Sequence, residues 1–254
     1  MDNVIPGWMI SRPALRIALV LAALSTLFTA CVEKESGLRL SIVTGGHDFE
    51  REAFFAMFDS FIGIDYEESI QPEANQMFAT AKIDSFDVVV FYDMFQEIDE
   101  SGKQAFMDLF ETGKGVVFLH HSLASYQSWD QYLEIVGGKY YEEPAVRNGQ
   151  TIAASTFKHD VEIPVKIVDP EHPVTSGLFD FVIFDEVYGG FEVLPSVHPL
   201  LATSHPESGP IIAWTFKCKN SRVVYIQPGH DHHGYENEHY RRLVYQAIRW
   251  VAGE

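Results

Sequence analysis

The stretch Phe86–Ser122, FDVVVFYDMFQEIDESGKQAFMDLFETGKGVVFLHHS, decides the fold. It opens with FDVVVFYDM, an almost wholly apolar run of strand length. SGKQAFMDLFETGKG follows, with apolar residues at helical spacing and Gly113 at its close. GVVFLHHS is then a second apolar strand. Strands that are apolar throughout, rather than alternating, are buried on both faces, and their alternation with amphipathic helices implies a parallel sheet covered on both sides.

Working outward, ESGLRLSIVTGG reads as a short linker and a buried strand near Leu38–Val43, and FEREAFFAMFDSF as a helix. Downstream of the central stretch, YQSWDQYLEIVGG has helical spacing. From Thr151 to Pro210 the chain changes to short strands with frequent Pro and Gly. RVVYIQPGH restores a buried strand over Arg222–Gln227, and NEHYRRLVYQAIRWVAG closes the chain as an amphipathic helix. The expected fold is one α/β domain with a mostly parallel central sheet and a β-rich insertion in the second half. In open α/β sheets ligands gather outside the carboxyl ends of the strands. TGGHDFE, YDMF, HHSLASY and PGHDHH all fall there, so residues far apart in sequence should meet in one crevice.

Residues 1–30 read as a signal peptide. Arg12 and Arg16 precede the apolar run IALVLAALSTLF, which is short for a bilayer span but suits a signal-peptide core. The FTAC that follows resembles a lipobox ending at Cys31, the expected lipidated residue, with 31–37 as a linker before a domain over 38–254. This predicts an exported protein that meets the membrane only through its anchor. The formal charge of −18 argues against a nucleic-acid partner. Cys31 and Cys218 are the only cysteines, so no disulfide framework is expected.

Several residues at the strand ends are candidates for chemistry. His47 follows Gly45 and Gly46, with Asp48 read as the cap of the next helix. Asp93 ends its strand, where it would orient a histidine or cap a turn. His120 and His121 leave the most buried strand, one expected in the crevice and the other beneath it. Within FDEVYGG, Glu186 and Tyr188 share one face, opposite Asp185. The segment Gly229–Arg241, GHDHHGYENEHYR, crowds four histidines together. His172 and His198 sit in turns and read as structural.

Taken in order, VTGGHDFEREAFFAMFD, DVVVFYDM, GKGVVFLHHSLASY, HPVTSGL, DEVYGGF, IAWTFK and RVVYIQPGHDHHGYENEHYRRLVYQAIRWVA resemble the trehalose-utilisation (ThuA-like) family. The resemblance implies a class I glutamine amidotransferase-like fold, a flavodoxin-like three-layer sandwich, and an association with sugar metabolism. It favours His205, Gly229, His230, Asp231, Tyr235 and Asn237, with Asn237 capping the last helix, and leaves out His232 and His233. The turn that carries a cysteine nucleophile in the glutaminases reads FLHHSLA here, so thioester chemistry has no thiolate.

His121, His230 and Glu186 are the expected catalytic residues, the two histidines for proton transfer or ligation and Glu186, with His47, to position or polarise the substrate. His47, Asp93, His120, Tyr188, His205 and Asp231 are expected to bind a small carbohydrate, with Tyr126, Trp129 or Tyr188 as stacking surfaces. His47, His121 and His230 are also a candidate ligand set for a divalent metal such as zinc. The expected activity is acid–base or metal-assisted hydrolysis, elimination or isomerisation of a glycoside-derived sugar, including a keto sugar. A cell-surface module that binds sugar without converting it is the competing reading. An enzyme loses turnover on His230→Gln, whereas a binder loses little.

Overall fold

A computed structural model of the chain describes residues 37–147 and 149–254. The signal peptide expected over 1–30 and Cys31 lie outside the described residues, and of the 31–37 linker only Gly37 is described.

The first half of the chain alternates as its apolar runs predict. In order come β1 (Leu38–Gly45), α1 (Arg51–Asp59), β2 (Ile64–Ile70), α2 (Glu73–Met77), β3 (Val88–Asp93), α3 (Glu100–Glu111) and β4 (Gly115–Leu119). After a 3-10 turn over His120–Ala124 follow α4 (Tyr132–Val136), β5 (Gly138–Lys139), β6 (Ala145–Arg147) and β7 (Gln150–Ile152). The second half contributes β8 (Thr156–Ile167), β9 (Phe181–Gly189), β10 (Glu192–Val193), β11 (His198–Thr203), β12 (Ile211–Cys218) and β13 (Ser221–Ile226). It ends with α5 (His232–Glu236) and α6 (Glu238–Ala252).

Nine strands form one sheet in the order β2-β1-β3-β4-β13-β12-β11-β8-β9. The pairings from β2 to β13 are parallel, and those from β13 to β9 are antiparallel. The parallel half has the flavodoxin-like order, in which the connections reverse between β1 and β3 and open a crevice at the strand ends. The β-rich segment is thus no separate layer: β8, β9 and β11 extend the central sheet.

Alternation along the buried strands builds the two cores. Val88, Val90 and Tyr92 face one way, with Val117, Leu119, Val224 and Ile226, and pack under α1 and α6. Val89 and Phe91 face the other way, with Val116, Phe118, Val223 and Tyr225, under α3 and α4. Two apolar faces demand two helical layers, which is why these strands read as continuous runs.

Two local expectations are corrected. The helix expected over YQSWDQYLEIVGG shortens to Tyr132–Val136, because Tyr126 stands at φ 48°, outside the helical region, with its hydroxyl tied to Gln71 and Asn75. Asp48 does not cap α1: Glu50 occupies that position, without a side-chain cap bond. Asn237 does cap α6, accepting from His239 N at 3.0 Å and Tyr240 N at 3.1 Å. Replacing Asn237 by Ala is expected to cost about 1 kcal/mol, read as a lower urea midpoint at unchanged slope. An unchanged midpoint would mean that the cap contributes nothing.

Candidate functional site

The chain leaves β4 through His120, whose φ of 47° is left-handed. This sharp strand-to-helix turn is the geometry that elsewhere carries an exposed nucleophile. Here it carries an imidazole, fully buried and held at both nitrogens. Nδ1 lies 2.7 Å from the carbonyl oxygen of Gln227, at the end of neighbouring β13. A carbonyl only accepts, so Nδ1 carries the proton and Nε2 is aimed at the cleft.

Nε2 of His120 meets three groups. Glu186 Oε2 is at 2.9 Å, the Tyr188 hydroxyl at 2.9 Å and His230 Nδ1 at 3.1 Å. Glu186 and Tyr188 come from β9, two residues apart and so on one face, as their spacing predicts. His230 also lies 3.1 Å from Glu186 Oε2, which closes a triangle with His120 and Glu186. Burial pushes the Glu186 carboxyl up, but the bonds from His120 and His230 outweigh it and hold its pKa well below the usual range. The same bond to Glu186 raises the pKa of His230.

His230 is held through its backbone. Asp185, on the opposite face of β9, accepts from Gly229 N at 2.8 Å and His230 N at 3.0 Å. The Tyr92 hydroxyl donates to the Gly229 carbonyl at 2.9 Å, and Tyr235 donates to that of His230 at 2.8 Å. Gly229 stands at φ 115°, and a Cβ there would run into the Tyr240 ring. The "PGH" sequence therefore delivers one imidazole on a fixed loop.

His159 is the imidazole that the sequence reading missed, and it missed Tyr140 and Phe157 beside it. The β8–β9 register shifts between Lys158 and Val161, and Asp160 takes φ 57°. Such a bulge re-aims a side chain. His159 Nε2 lies 3.3 Å from Glu186 Oε1, and its ring is 4.5 Å from that of His230. Counting back by two from Ile163 and Val161 would turn this position inward, but the bulge breaks that count before His159. A run of exposed residues interrupted by a bulge offers no periodicity from which to find it.

These groups line a cleft of about 320 Å³ with Tyr140, Phe157, His47 and His121. His47 and His121 lie ring to ring at 4.8 Å. His121 is buried, and neither ring nitrogen has a well-formed hydrogen bond. Burial, then His120 and His47, drive its pKa well down against a small opposing pull from the Tyr92 backbone. His120 and His121 both reach the cleft, because residues 120–124 form a 3-10 turn to which strand alternation does not apply.

Other expected residues lie elsewhere. His205 closes a local turn, accepting from Glu207 N at 3.3 Å. Asp231 caps α5 by accepting from His233 N at 2.9 Å. Tyr126 and Trp129 belong to the core under α3, so of the expected stacking surfaces only Tyr188 lines the cleft. Cys218 is a buried thiol on β12, pushed up to about 11 by burial, and is no nucleophile at neutral pH. The ligand set His47, His121 and His230 is not the one that converges: the His47 and His121 rings pack against each other at a tilt, and the nitrogens meeting at Glu186 belong to His120 and His230.

The family model described as trehalose utilisation (ThuA) matches residues 42–251. A ThuA-like protein from Parabacteroides merdae ATCC 43184 superposes with a TM-score of 0.71 at 16% identity, over 85% of this chain and 90% of its own. One from Bacteroides uniformis ATCC 8492 gives 0.62 at 19% identity, over 85% and 92%. PurLQS from Thermotoga maritima gives 0.54 at 14% identity, over 85% and 99%. At these identities the likeness is one of fold. No curated protein matches the chain in sequence.

Asp93 is absent from the cleft as well. It ends β3 inside a separate polar pocket, where Gln71 Nε2 donates to it at 3.0 Å and its Oδ1 has no partner. Burial raises its pKa to about 7, against weaker lowering by Gln71 and Ser125. An unfolded aspartate titrates near 3.9, so between that value and about 7 the native state binds more protons and stability falls as pH rises. Between pH 5 and pH 8, which spans the upper two units of this window, the wild type should lose up to ~2.5 kcal/mol more than Asp93→Asn, read by chemical denaturation at those two pH values. Equal losses in the two proteins would show that Asp93 is not a buried acid.

Proposed function

This chain belongs to the ThuA family, whose description is trehalose utilisation, and from that membership and the cleft we propose that it converts a small sugar, with a glycoside-derived keto sugar as the favoured substrate class. The observation that carries the reading is the pairing of two unlike imidazole environments across one cleft. On one side His121 offers buried ring nitrogens without a well-formed hydrogen bond. On the other, His120, Glu186, His230 and Tyr188 converge on one point.

A buried polar atom without a partner is costly, and its usual explanation is a ligand or a role in chemistry. A sugar hydroxyl or the hydrogen on a carbon beside a carbonyl would meet His121 as a base. The carbonyl oxygen would lie towards Tyr188 and His230, whose hydroxyl and ring N–H can donate to it as the C–H bond breaks. A keto group lowers the demand on the base, since the carbanion it leaves is delocalised onto oxygen. The outcome is isomerisation if the proton returns to the neighbouring carbon, and elimination if a substituent departs. Phe157 and Tyr140 supply apolar faces for the sugar ring, and His47 braces His121. Export and a lipid anchor at Cys31 belong to the same proposal, supported by the Arg-flanked apolar run and the FTAC sequence.

The test is hydrogen exchange in deuterated water, followed by NMR with trehalose, related glycosides and their keto derivatives. The wild type should exchange hydrogen beside the carbonyl of a keto sugar. His121→Ala and Glu186→Gln should each lower that rate at least 100-fold. Binding of the same sugars with no exchange or turnover would overturn the enzymatic reading in favour of a sugar-binding module.

A further inference from the structure

We infer that His120 Nε2, Glu186 Oε2 and His230 Nδ1 are the three protein ligands of one divalent transition-metal ion. This deepens the proposed function by naming what polarises the sugar oxygen, but it rests on the geometry of the triangle alone. The three edges measure 2.9, 3.1 and 3.1 Å. Ligands ~2.0–2.2 Å from a metal and at right angles stand ~2.8–3.1 Å apart, so the triangle has the size of one face of an octahedron. A tetrahedral ion would hold them at ~3.3–3.6 Å. Two imidazoles and one carboxylate on a single face, with the remaining positions open, are a donor set suited to first-row divalent ions.

Protons account for the triangle less well than a cation does. The Nδ1 proton of His120 is committed to the Gln227 carbonyl. That leaves Nε2 as the free donor atom, and a second-shell bond of this kind is what fixes a metal-ligating histidine. If both imidazoles gave a proton to Glu186, the 3.1 Å contact between Nε2 and Nδ1 would hold two nitrogens with no hydrogen directed along it. A central cation satisfies all three edges at once. The supports are also those of a fixed site: His120 is buried on its turn, and Asp185 clamps the His230 backbone from behind. Water or a sugar oxygen would fill the positions facing the cleft.

A second group of possible ligands, Asp231, His232 and His233, provides the control. It lies on the first turn of α5, and its members are spent locally, on the α5 cap and on Glu50.

The full chain, stripped of metal with a chelator, should be titrated calorimetrically with Co²⁺, an ion that accepts octahedral ligation, and its absorption then reports the coordination. We expect one equivalent bound, at least 100-fold weaker in Glu186→Gln and in His230→Ala and unchanged in His233→Ala. Co²⁺ should raise the melting temperature of the wild type and leave that of the two ligand variants unmoved, which separates lost ligation from lost fold. No binding, binding that survives both ligand variants, or binding lost in His233→Ala would each overturn the site. Sugar exchange that continues in the metal-free protein would remove the metal and leave the acid–base reading standing. A bound metal without any sugar exchange would do the reverse.

Discussion

The site depends on the left-handed turn at His120. A non-glycine residue at φ 47° is held there against its own preference, and such strain persists only where the surroundings fix it. Here the fixing contacts run from the ring to the Gln227 carbonyl at 2.7 Å and from the Tyr225 hydroxyl to the His120 carbonyl at 3.0 Å. Both partners sit at the end of β13, the parallel neighbour of β4. The register of two buried strands therefore sets the direction in which one imidazole nitrogen points. Glu186, Tyr188 and His230 are arranged around that nitrogen.

The sheet explains why these four residues can meet. Its parallel half brings the ends of β1, β4 and β13 to one edge, carrying His47, His120, His121 and His230. Its antiparallel half carries β9 to the far edge of the sheet, and the ends of β8 and β9 return Glu186, Tyr188 and His159 to the same cleft. Neither half holds a complete site. The β-rich segment is thus part of the cleft: it supplies the carboxylate that draws both imidazoles together.

The first half of the fold was legible in the sequence because burial on both faces leaves continuous apolar runs such as VVVF and GVVFL. The Asn237 cap and the pairing of Glu186 with Tyr188 were legible too, through local rules, and Gly229 through the family resemblance. What the sequence concealed follows from two physical facts. Strand alternation says nothing past the point where a strand becomes a 3-10 turn, so one of His120 and His121 was wrongly expected beneath the cleft. A bulge breaks the same rule on β8, which hid His159. Asp93 illustrates a third limit, since the end of a strand places a carboxylate near the crevice without saying whether it opens into it or is buried beside it.

The central claim is that the elbow imidazole of His120 keeps its proton on Nδ1 and presents Nε2 to the cleft. Nitrogen-15 NMR of the histidine rings, with His120 assigned by substitution, reads this directly. The account predicts a protonated Nδ1 in every state of the protein, with only the Nε2 resonance moving when a divalent ion or a sugar is added. A His120 ring with a bare Nδ1 would contradict it, because the bond to Gln227 that orients the site could not then exist.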